Sequence, residues 1–323
     1  MTRLRIANAG FVTIGSYFEP FEVGKYRFSS VYPRSEVGRD SEGFFGNVAR
    51  GPRAVRCTAY AEFVERQENS ILFQGGHVGF QNSPHRKRKL IDDVLLLASI
   101  VTGRNWELFS RREYPNYPVT NASHLECVVP DIGGAKVGKV IEQALACIQQ
   151  DAWQSRFEKG FHLRMLKNHA NILTTEARFL SLVIIWEWLY AHLKNAAGAT
   201  VLDEAKGLRK VFVEVLDRFW PGQVNKPLLS GENVFYVLRN QLAHCGRLPI
   251  DRQYASRWMK ELHCDFQFLS AKGTGVPDYI RFFQHLTQVV VLKTLGINAD
   301  SKLEAWSFKK NLHHFLQTGK LHE

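Results

Sequence analysis

The second half of this chain repeats apolar residues at helical spacing, and this pattern restricts the possible folds more than any other feature. Seven segments place apolar side chains three and four positions apart, with almost no strand pattern between them. They are residues 137–150, 152–170, 175–195, 203–220, 231–245, 252–269 and 279–295. Consecutive amphipathic helices bury their apolar faces against one another, so this half is predicted to be an all-α bundle.

The first third has a different pattern, in which β-branched and aromatic residues alternate with polar ones between glycines. The predicted strands are residues 21–32, 53–64 and 70–80. Residues 83–103 begin with Ser and Pro and continue at helical spacing, which predicts a helix that packs on the sheet. Prolines and glycines after it place a domain boundary near residue 135. We therefore predict an α+β protein, with a β-rich domain of one or two helices over 1–135 and an all-α domain over 136–323.

Composition indicates a folded, basic protein. The 323 residues include 42 Lys and Arg against 31 Asp and Glu, a formal charge of +11 that favours polyanionic partners such as nucleic acid. The five cysteines contain no CxxC pair, so neither a disulfide framework nor a zinc ribbon is indicated. The sequence shows no signal-peptide pattern and no apolar stretch of membrane-spanning length, so we expect a cytoplasmic protein without membrane contact.

The segment 231–245 carries the most specific group of polar residues. Read as a helix, it turns its apolar residues to one face and leaves Arg239, Asn240 and His244 toward another side. Asn240 and His244 are one turn apart, whereas Arg239 and His244 are separated by about 140° around an ideal helix. They converge only if the arginine reaches across or the last turn is distorted.

The sequence Arg-Asn-Gln-Leu-Ala-His over 239–244 resembles the R-N-x-x-x-H signature of HEPN domains, which are helical ribonuclease modules of toxin–antitoxin, CRISPR and abortive-infection systems. The resemblance extends over about 140–297 as a helical order, in which a helix carrying Glu187 precedes the motif helix and another helix closes the domain. It looks closest to the Apea-like branch. The resemblance implies that Arg239, Asn240 and His244 are catalytic, and that two motif helices meet in a symmetric homodimer.

The activity implied by this resemblance is metal-independent endoribonucleolysis. RNA supplies its own nucleophile, the 2′-hydroxyl, so a histidine acting as acid or base and an arginine stabilising the phosphorane are sufficient, and the product is a 2′,3′-cyclic phosphate. No metal and no cofactor are predicted. The expected partners are RNA, with tRNA as one candidate, and a phage-derived trigger or a neutralising antitoxin, while residues 1–135 resemble the sensor or regulatory region of defence proteins.

Glu187 is the remaining candidate for the catalytic group. It lies between Trp186 and Trp188 in an apolar run, where a buried carboxylate requires a cation or donor. One interpretation has Glu187 facing the motif helix and holding Arg239, as a polar residue on this helix does in related domains. The other is a structural salt bridge with Arg178 or Arg209.

A second Arg-x4-His match, from Arg164 to His169, tests the specificity of the motif. With 12 histidines in the chain, about one such match is expected by chance. This one precedes the Glu187 helix and lacks asparagine directly after the arginine. We interpret it as a chance match.

The densest basic cluster is predicted to bind the RNA backbone. It comprises Arg86, Lys87, Arg88 and Lys89 at the start of the helix ending near residue 103. The alternative is an ordinary solvated surface. For the whole protein, the rival hypothesis is a non-catalytic dimeric HEPN-fold protein that binds or senses a ligand.

Overall fold

A computed structural model describes the chain in separate stretches. They are residues 2–7, 18–30, 57–64, 68–73, 89–103, 106–108, 125, 134–169, 172, 174–196, 208–231, 234–248, 276–297, 306–319 and 321. The chain divides into two compact units, Met1–Asn171 with Thr294–Lys302, and Ile172–Lys293 with Leu303–Glu323. The predicted α+β class is confirmed, since a β-sheet and helices are both present.

The first unit contains an antiparallel sheet. Within the described stretches its strands are β1 Thr2–Ala7, β2 Phe21–Val23, β3 Tyr26–Ser30, β4 Cys57–Phe63 and β5 Glu107–Leu108, in the order β2-β3-β4-β1-β5. The predicted strand 21–32 is in fact the hairpin β2–β3, because Gly24 adopts a φ of 54° and turns the chain between Val23 and Tyr26. The sequence pattern missed β1 and β5.

Two other predictions in this unit need correction. Ser70–Phe73 form a bend and turn instead of starting a strand, and residues 74–80 lie outside the described stretches. The predicted helix 83–103 begins at Leu90 and ends at Thr102 as α1, with Gly103 as its left-handed C-cap at a φ of 70°. Its start is fixed locally, because the Asp92 side chain accepts the Lys89 backbone N–H at 2.8 Å.

Helix α1 is buried around nearly its whole circumference and packs on two further helices, α2 Gly134–Gln149 and α3 Trp153–Asn168. Helix α2 also packs closely on β2, because a Cβ on Gly138 would lie 2.6 Å from the Glu22 carbonyl oxygen. These contacts place α2 and α3 with the sheet. The structural division therefore falls after Asn171, whereas the boundary predicted from the sequence is near residue 135.

The second unit is helical throughout its described part. Its helices are α4 Thr175–Ala196, α5 Leu208–Phe219, α6 Lys226–Gly231, α7 Val234–Cys245, α8 Val276–Thr294 and α9 Trp306–Thr318, the last residue of α8 falling in the first unit by contacts. Stacked aromatic rings join four of them: Trp186 contacts Phe212 at a centroid distance of 4.4 Å, and Phe235 contacts Phe283 at 4.2 Å. Trp186 also donates its indole N–H to Thr287 Oγ1 at 2.8 Å.

The helices predicted at 137–150, 152–170, 175–195 and 279–295 are confirmed, with ends shifted by a few residues. The motif helix, predicted over 231–245, is shorter, since α7 begins at Val234. Of the helix predicted over 203–220, the structure describes the part from Leu208. Helix α9 was not predicted, and 252–269 lies outside the described part of the chain. Among the helices described here, none has the length and apolarity needed to cross a membrane.

Candidate functional site

Helix α7 carries the motif and is held by one apolar face. Val234, Phe235, Leu238 and Leu242 are buried, and Phe235 reaches the aromatic core, where its ring stacks on Phe283. The helix stays regular to its end, where the Gly246 N–H bonds the Leu242 carbonyl at 2.9 Å and Gly246 adopts a φ of 69°. The last turn is therefore not distorted, and ideal helical angles describe where the motif side chains start.

The opposite face of α7 presents the motif. Arg239 and His244 are exposed and Asn240 is partly exposed, as the sequence predicted. Arg239 and His244 stand at opposite margins of this face, about 140° apart, with Asn240 between them. Arg239 Nη1 donates to Asn240 Oδ1 at 3.4 Å, a long hydrogen bond near the limit of the useful range. In one copy of the chain, the imidazole of His244 and the guanidinium of Arg239 therefore point in different directions from the helix.

A groove of about 470 Å³ lies on the Arg239 side of α7 and joins the first two turns of α4 to the last two turns of α7. The residues lining it are Thr174, Glu176, Ala177, Leu180, Arg239, Leu242, Ala243 and Gly246. Its size falls within the range of small-molecule sites, roughly 300–1,000 Å³. His244 and Asn240 are not among the lining residues, so the groove brings the arginine of the motif, without the histidine, against a second helix.

Glu187 does not take the position predicted for it. Its side chain is exposed, not buried, so it bears none of the desolvation cost that the apolar run suggested. It also lies seven positions beyond Leu180, about 10 Å further along α4 than the groove. Among the described residues it has no ion pair with Arg178, and the Arg209 side chain lies outside them. The carboxylate at the groove is that of Glu176.

Glu176 was not predicted from the sequence as a site residue. It lies in the first turn of α4, is half-buried, and accepts the Leu248 backbone N–H on Oε1 at 3.5 Å. Thr174 Oγ1 accepts the Ala177 N–H at 3.2 Å and so caps the helix without Glu176. The local signal was present, because an acidic residue two positions after a capping threonine is typical of a helix start, but nothing local shows that this start faces Arg239.

The second Arg-x4-His match is engaged in packing within the first unit. The Arg164 guanidinium lies over the Phe73 ring, 4.2 Å from its centroid, and His169 is only 2% exposed at the end of α3. Both side chains therefore contribute to packing in this fold. This contrasts with the exposed Arg239 and His244 of the 239–244 motif.

No protein-family model, curated protein or solved structure matches this chain. The likeness to HEPN domains therefore depends on the motif and the helix order alone. In the stretches that the structure covers, no three His, Cys, Asp or Glu side chains gather as a potential metal site.

Of the predicted RNA-binding cluster, the structure describes only Lys89, and Arg86, Lys87 and Arg88 lie outside it. Lys89 precedes α1 and donates from Nζ to Asn69 Oδ1 at 3.0 Å. This contact helps to hold the helix start against the preceding turn. Phosphate binding by the cluster stays a prediction.

Proposed function

We propose that this protein is a HEPN-type endoribonuclease in which Arg239, Asn240 and His244 act on RNA without a metal ion. The observation that carries the proposal is that all three motif residues are accessible on one helix whose opposite face is fixed in an aromatic core. Rigid support beneath accessible polar groups is what a catalytic site requires, because small displacements of reacting groups are costly. The unit that carries the motif is helical throughout its described part.

The reaction proceeds by attack of the RNA 2′-oxygen on the adjacent phosphorus. A base takes the 2′-hydroxyl proton as the O2′–P bond forms, and an acid gives a proton to the 5′-oxygen as the P–O5′ bond breaks. The products are a 2′,3′-cyclic phosphate and a 5′-hydroxyl. Histidine suits either proton transfer near neutral pH, and the planar fork of donors on Arg239 suits the charged phosphorane. Asn240 orients the arginine through the bond between them.

Two proton transfers but only one histidine per motif helix favour a dimeric site. A second copy of α7 supplies the other imidazole and brings an arginine opposite a histidine, which one helix cannot do across about 140°. An apolar side chain for this contact is Ile184 of α4, which is 44% exposed and lies one turn beyond the groove residue Leu180. Ile184 belongs to the helix that packs on α7.

In this proposal the first unit senses or regulates and contributes no catalytic group. The setting is antiphage defence or a toxin system, with a phage-derived trigger or an antitoxin as the controlling partner and tRNA as a candidate substrate. The overall charge of +11 suits an RNA substrate.

The testing experiment incubates the purified full chain with total tRNA, with and without EDTA, and determines the ends of any fragments. We expect discrete fragments that persist in EDTA and end in 2′,3′-cyclic phosphate. Cleavage that stops on chelation and returns with magnesium or manganese would identify a metal-dependent nuclease instead.

The second candidate function is a non-catalytic dimeric binding protein. The divergence of Arg239 and His244 on one regular helix favours it, because a site that only binds does not need the two side chains to converge. Tight RNA binding without any fragments, at protein concentrations where the chain is dimeric, would support this candidate against the nuclease.

A further inference from the structure

The groove beside Arg239 is lined by three kinds of side chain. Arg239 supplies a cation, the side chains of Leu180, Leu242 and Ala243 supply apolar walls, and Glu176 supplies a carboxylate. Leu180 is 42% exposed, so an occupant of the groove would cover apolar surface that is now in solvent. A cation, an apolar slot and a hydrogen-bond acceptor are the groups that a phosphate, a flat ring and an N–H-bearing ring edge require.

The Glu176 carboxylate retains capacity for a ligand. Among the described residues it accepts one hydrogen bond, the 3.5 Å contact from the Leu248 N–H to Oε1, at the edge of the hydrogen-bonding range. Because the cap of α4 is made by Thr174, the carboxylate is not consumed in starting its helix. An ionised carboxylate only accepts hydrogen bonds, and its two oxygens can accept two parallel N–H donors.

Charge determines the orientation in which a nucleotide would bind in the groove. A phosphate is attracted to Arg239 and repelled by Glu176, so the phosphate belongs at the arginine and the ring edge at the glutamate. RNA-binding proteins read single-stranded bases by stacking the ring on aromatic or arginine side chains and bonding its edge, and in this groove leucine and alanine side chains take the place of the stacking groups. Guanine is the base whose pairing edge presents two adjacent donors, N1–H and the N2 amino group, and so matches a bidentate carboxylate.

We propose that this groove is a base-recognition site for guanine and that Glu176 determines its specificity. The proposal rests on the proposed function, because it places the guanosine next to the phosphate that Arg239 contacts. The enzyme then cuts RNA beside guanosines in single-stranded segments. A good bidentate contact between a side chain and a base discriminates by roughly 10-fold to 100-fold.

The experiment uses the full chain and two readouts. Cleavage is measured on single-stranded oligoribonucleotides that differ at one position, which holds guanosine, inosine, adenosine or uridine. Binding is measured with the 2′-deoxy analogues of the same oligonucleotides, which cannot be cleaved. We expect kcat/KM and affinity to be highest for guanosine and to fall at least 10-fold for inosine, which lacks the N2 amino group. Glu176→Gln should remove this preference.

The matched control is Glu214→Gln, a half-exposed glutamate on α5 paired with Lys210 at 3.4 Å, which should leave the guanosine preference intact. Cleavage without base preference, or a preference that survives Glu176→Gln, overturns the guanine site and leaves the nuclease standing. Guanosine-selective binding that Glu176→Gln abolishes, in a protein that cleaves no RNA, supports the guanine site and overturns the nuclease. Absence of both cleavage and selective binding overturns both.

Discussion

Arg239 and His244 are exposed side chains on a helix held by its other face, so their removal should change chemistry much more than packing. We expect His244→Ala and Arg239→Ala each to lower RNA cleavage by at least about 10²-fold, the usual contribution of a proton-transfer or charge-stabilising group. The free energy of unfolding should change by no more than about 0.5 kcal/mol, as is usual for surface positions. Cleavage rates and denaturant titrations of the same preparations test both statements.

His313→Ala on α9 is the matched control, because His313 is also an exposed helical histidine of the second unit. It should leave cleavage unchanged. His169→Ala tests the alternative motif, but His169 is 2% exposed and its removal leaves a cavity, so its activity must be interpreted beside its stability. A folded His169→Ala protein without activity, beside an active His244→Ala protein, would show that the wrong motif was chosen.

Asp93 is a buried carboxylate in the described part of the first unit, and it holds the turn before α1. Its Oδ2 accepts the backbone N–H of Ile71 at 2.6 Å and of Leu72 at 3.3 Å, while Oδ1 accepts the Ser70 hydroxyl at 2.7 Å. Burial raises the pKa of Asp93 to about 6, although these hydrogen bonds act in the opposite direction. The folded state therefore binds a proton in a range where the unfolded chain has lost it.

This raised pKa predicts the pH dependence of stability. As the pH rises from about 4 to about 6, the contribution of Asp93 to the free energy of unfolding falls, by at most about 1.4 kcal/mol per pH unit, and above that range the loss is complete. Asp93→Asn keeps an oxygen for the two backbone donors but does not ionise, so its stability should lack this decline. Denaturant titrations of both proteins between pH 4 and 7 measure the difference, and parallel curves would contradict the prediction.

Helix α7 contains a polar residue whose side chain is buried without a hydrogen bond in the described part of the chain. Gln241, inside the motif between Asn240 and Leu242, is fully buried, and neither atom of its side-chain amide has a hydrogen-bond partner among the described residues. An unsatisfied buried amide costs about 1 to 3 kcal/mol. The motif helix is therefore held less tightly than its aromatic contacts would allow.

Replacement of this amide by a similarly shaped apolar side chain should stabilise α7. We expect Gln241→Met to raise the free energy of unfolding by about 1 kcal/mol, since it removes the desolvation cost and keeps the volume. Leu242→Met is the matched control, because Leu242 is already apolar and buried, and no gain is expected there. A loss of stability in Gln241→Met would show that the amide is hydrogen-bonded in solution.

At the scale of the whole molecule, the proposed dimer depends on the exposed Ile184 of α4. Ile184→Glu places a charge in this contact, and we expect it to produce monomers and to lower cleavage at least 10-fold without unfolding the chain. Leu228→Glu on α6 is the control, because Leu228 is an exposed leucine, at 51%, on a different helix. Sedimentation and cleavage assays at equal concentration measure both effects. A monomeric wild type with full specific activity at nanomolar concentration contradicts the dimeric site.

The two units also predict where the chain can be cut. A fragment beginning at Gly138 separates α2 from β2 and exposes the buried side chains of Ile141, Ala144 and Ile148. We expect that fragment to bind a hydrophobic dye and to aggregate, whereas a fragment beginning at Ile172 keeps the described helical core and stays dispersed. Dye binding and light scattering of the two fragments test this. A well-folded fragment from Gly138 would return the boundary to the position near residue 135.

The sequence by itself determined the position of most helices in the second half and the exposure of Arg239, Asn240 and His244. Both follow from periodicity, because residue spacing fixes angles around a helix, and a helix with one apolar arc can bury only that arc. The sequence placed Arg239 and His244 about 140° apart only for an ideal helix, and the structure added that α7 is regular to its end. These properties are local and need no knowledge of neighbouring elements.

Only the tertiary structure decided which neighbour covers each face. The exposed stripe of α4 contains Leu180 and Ile184 beside Glu187, so its sequence is mainly apolar on every side, and Glu187 was predicted to be buried. In the same way, Glu176 belongs to the Arg239 groove only because the start of α4 packs beside the end of α7, some 60 positions later in the chain. Contacts between residues so distant in sequence depend on the packing of the whole unit, and no local pattern specifies them.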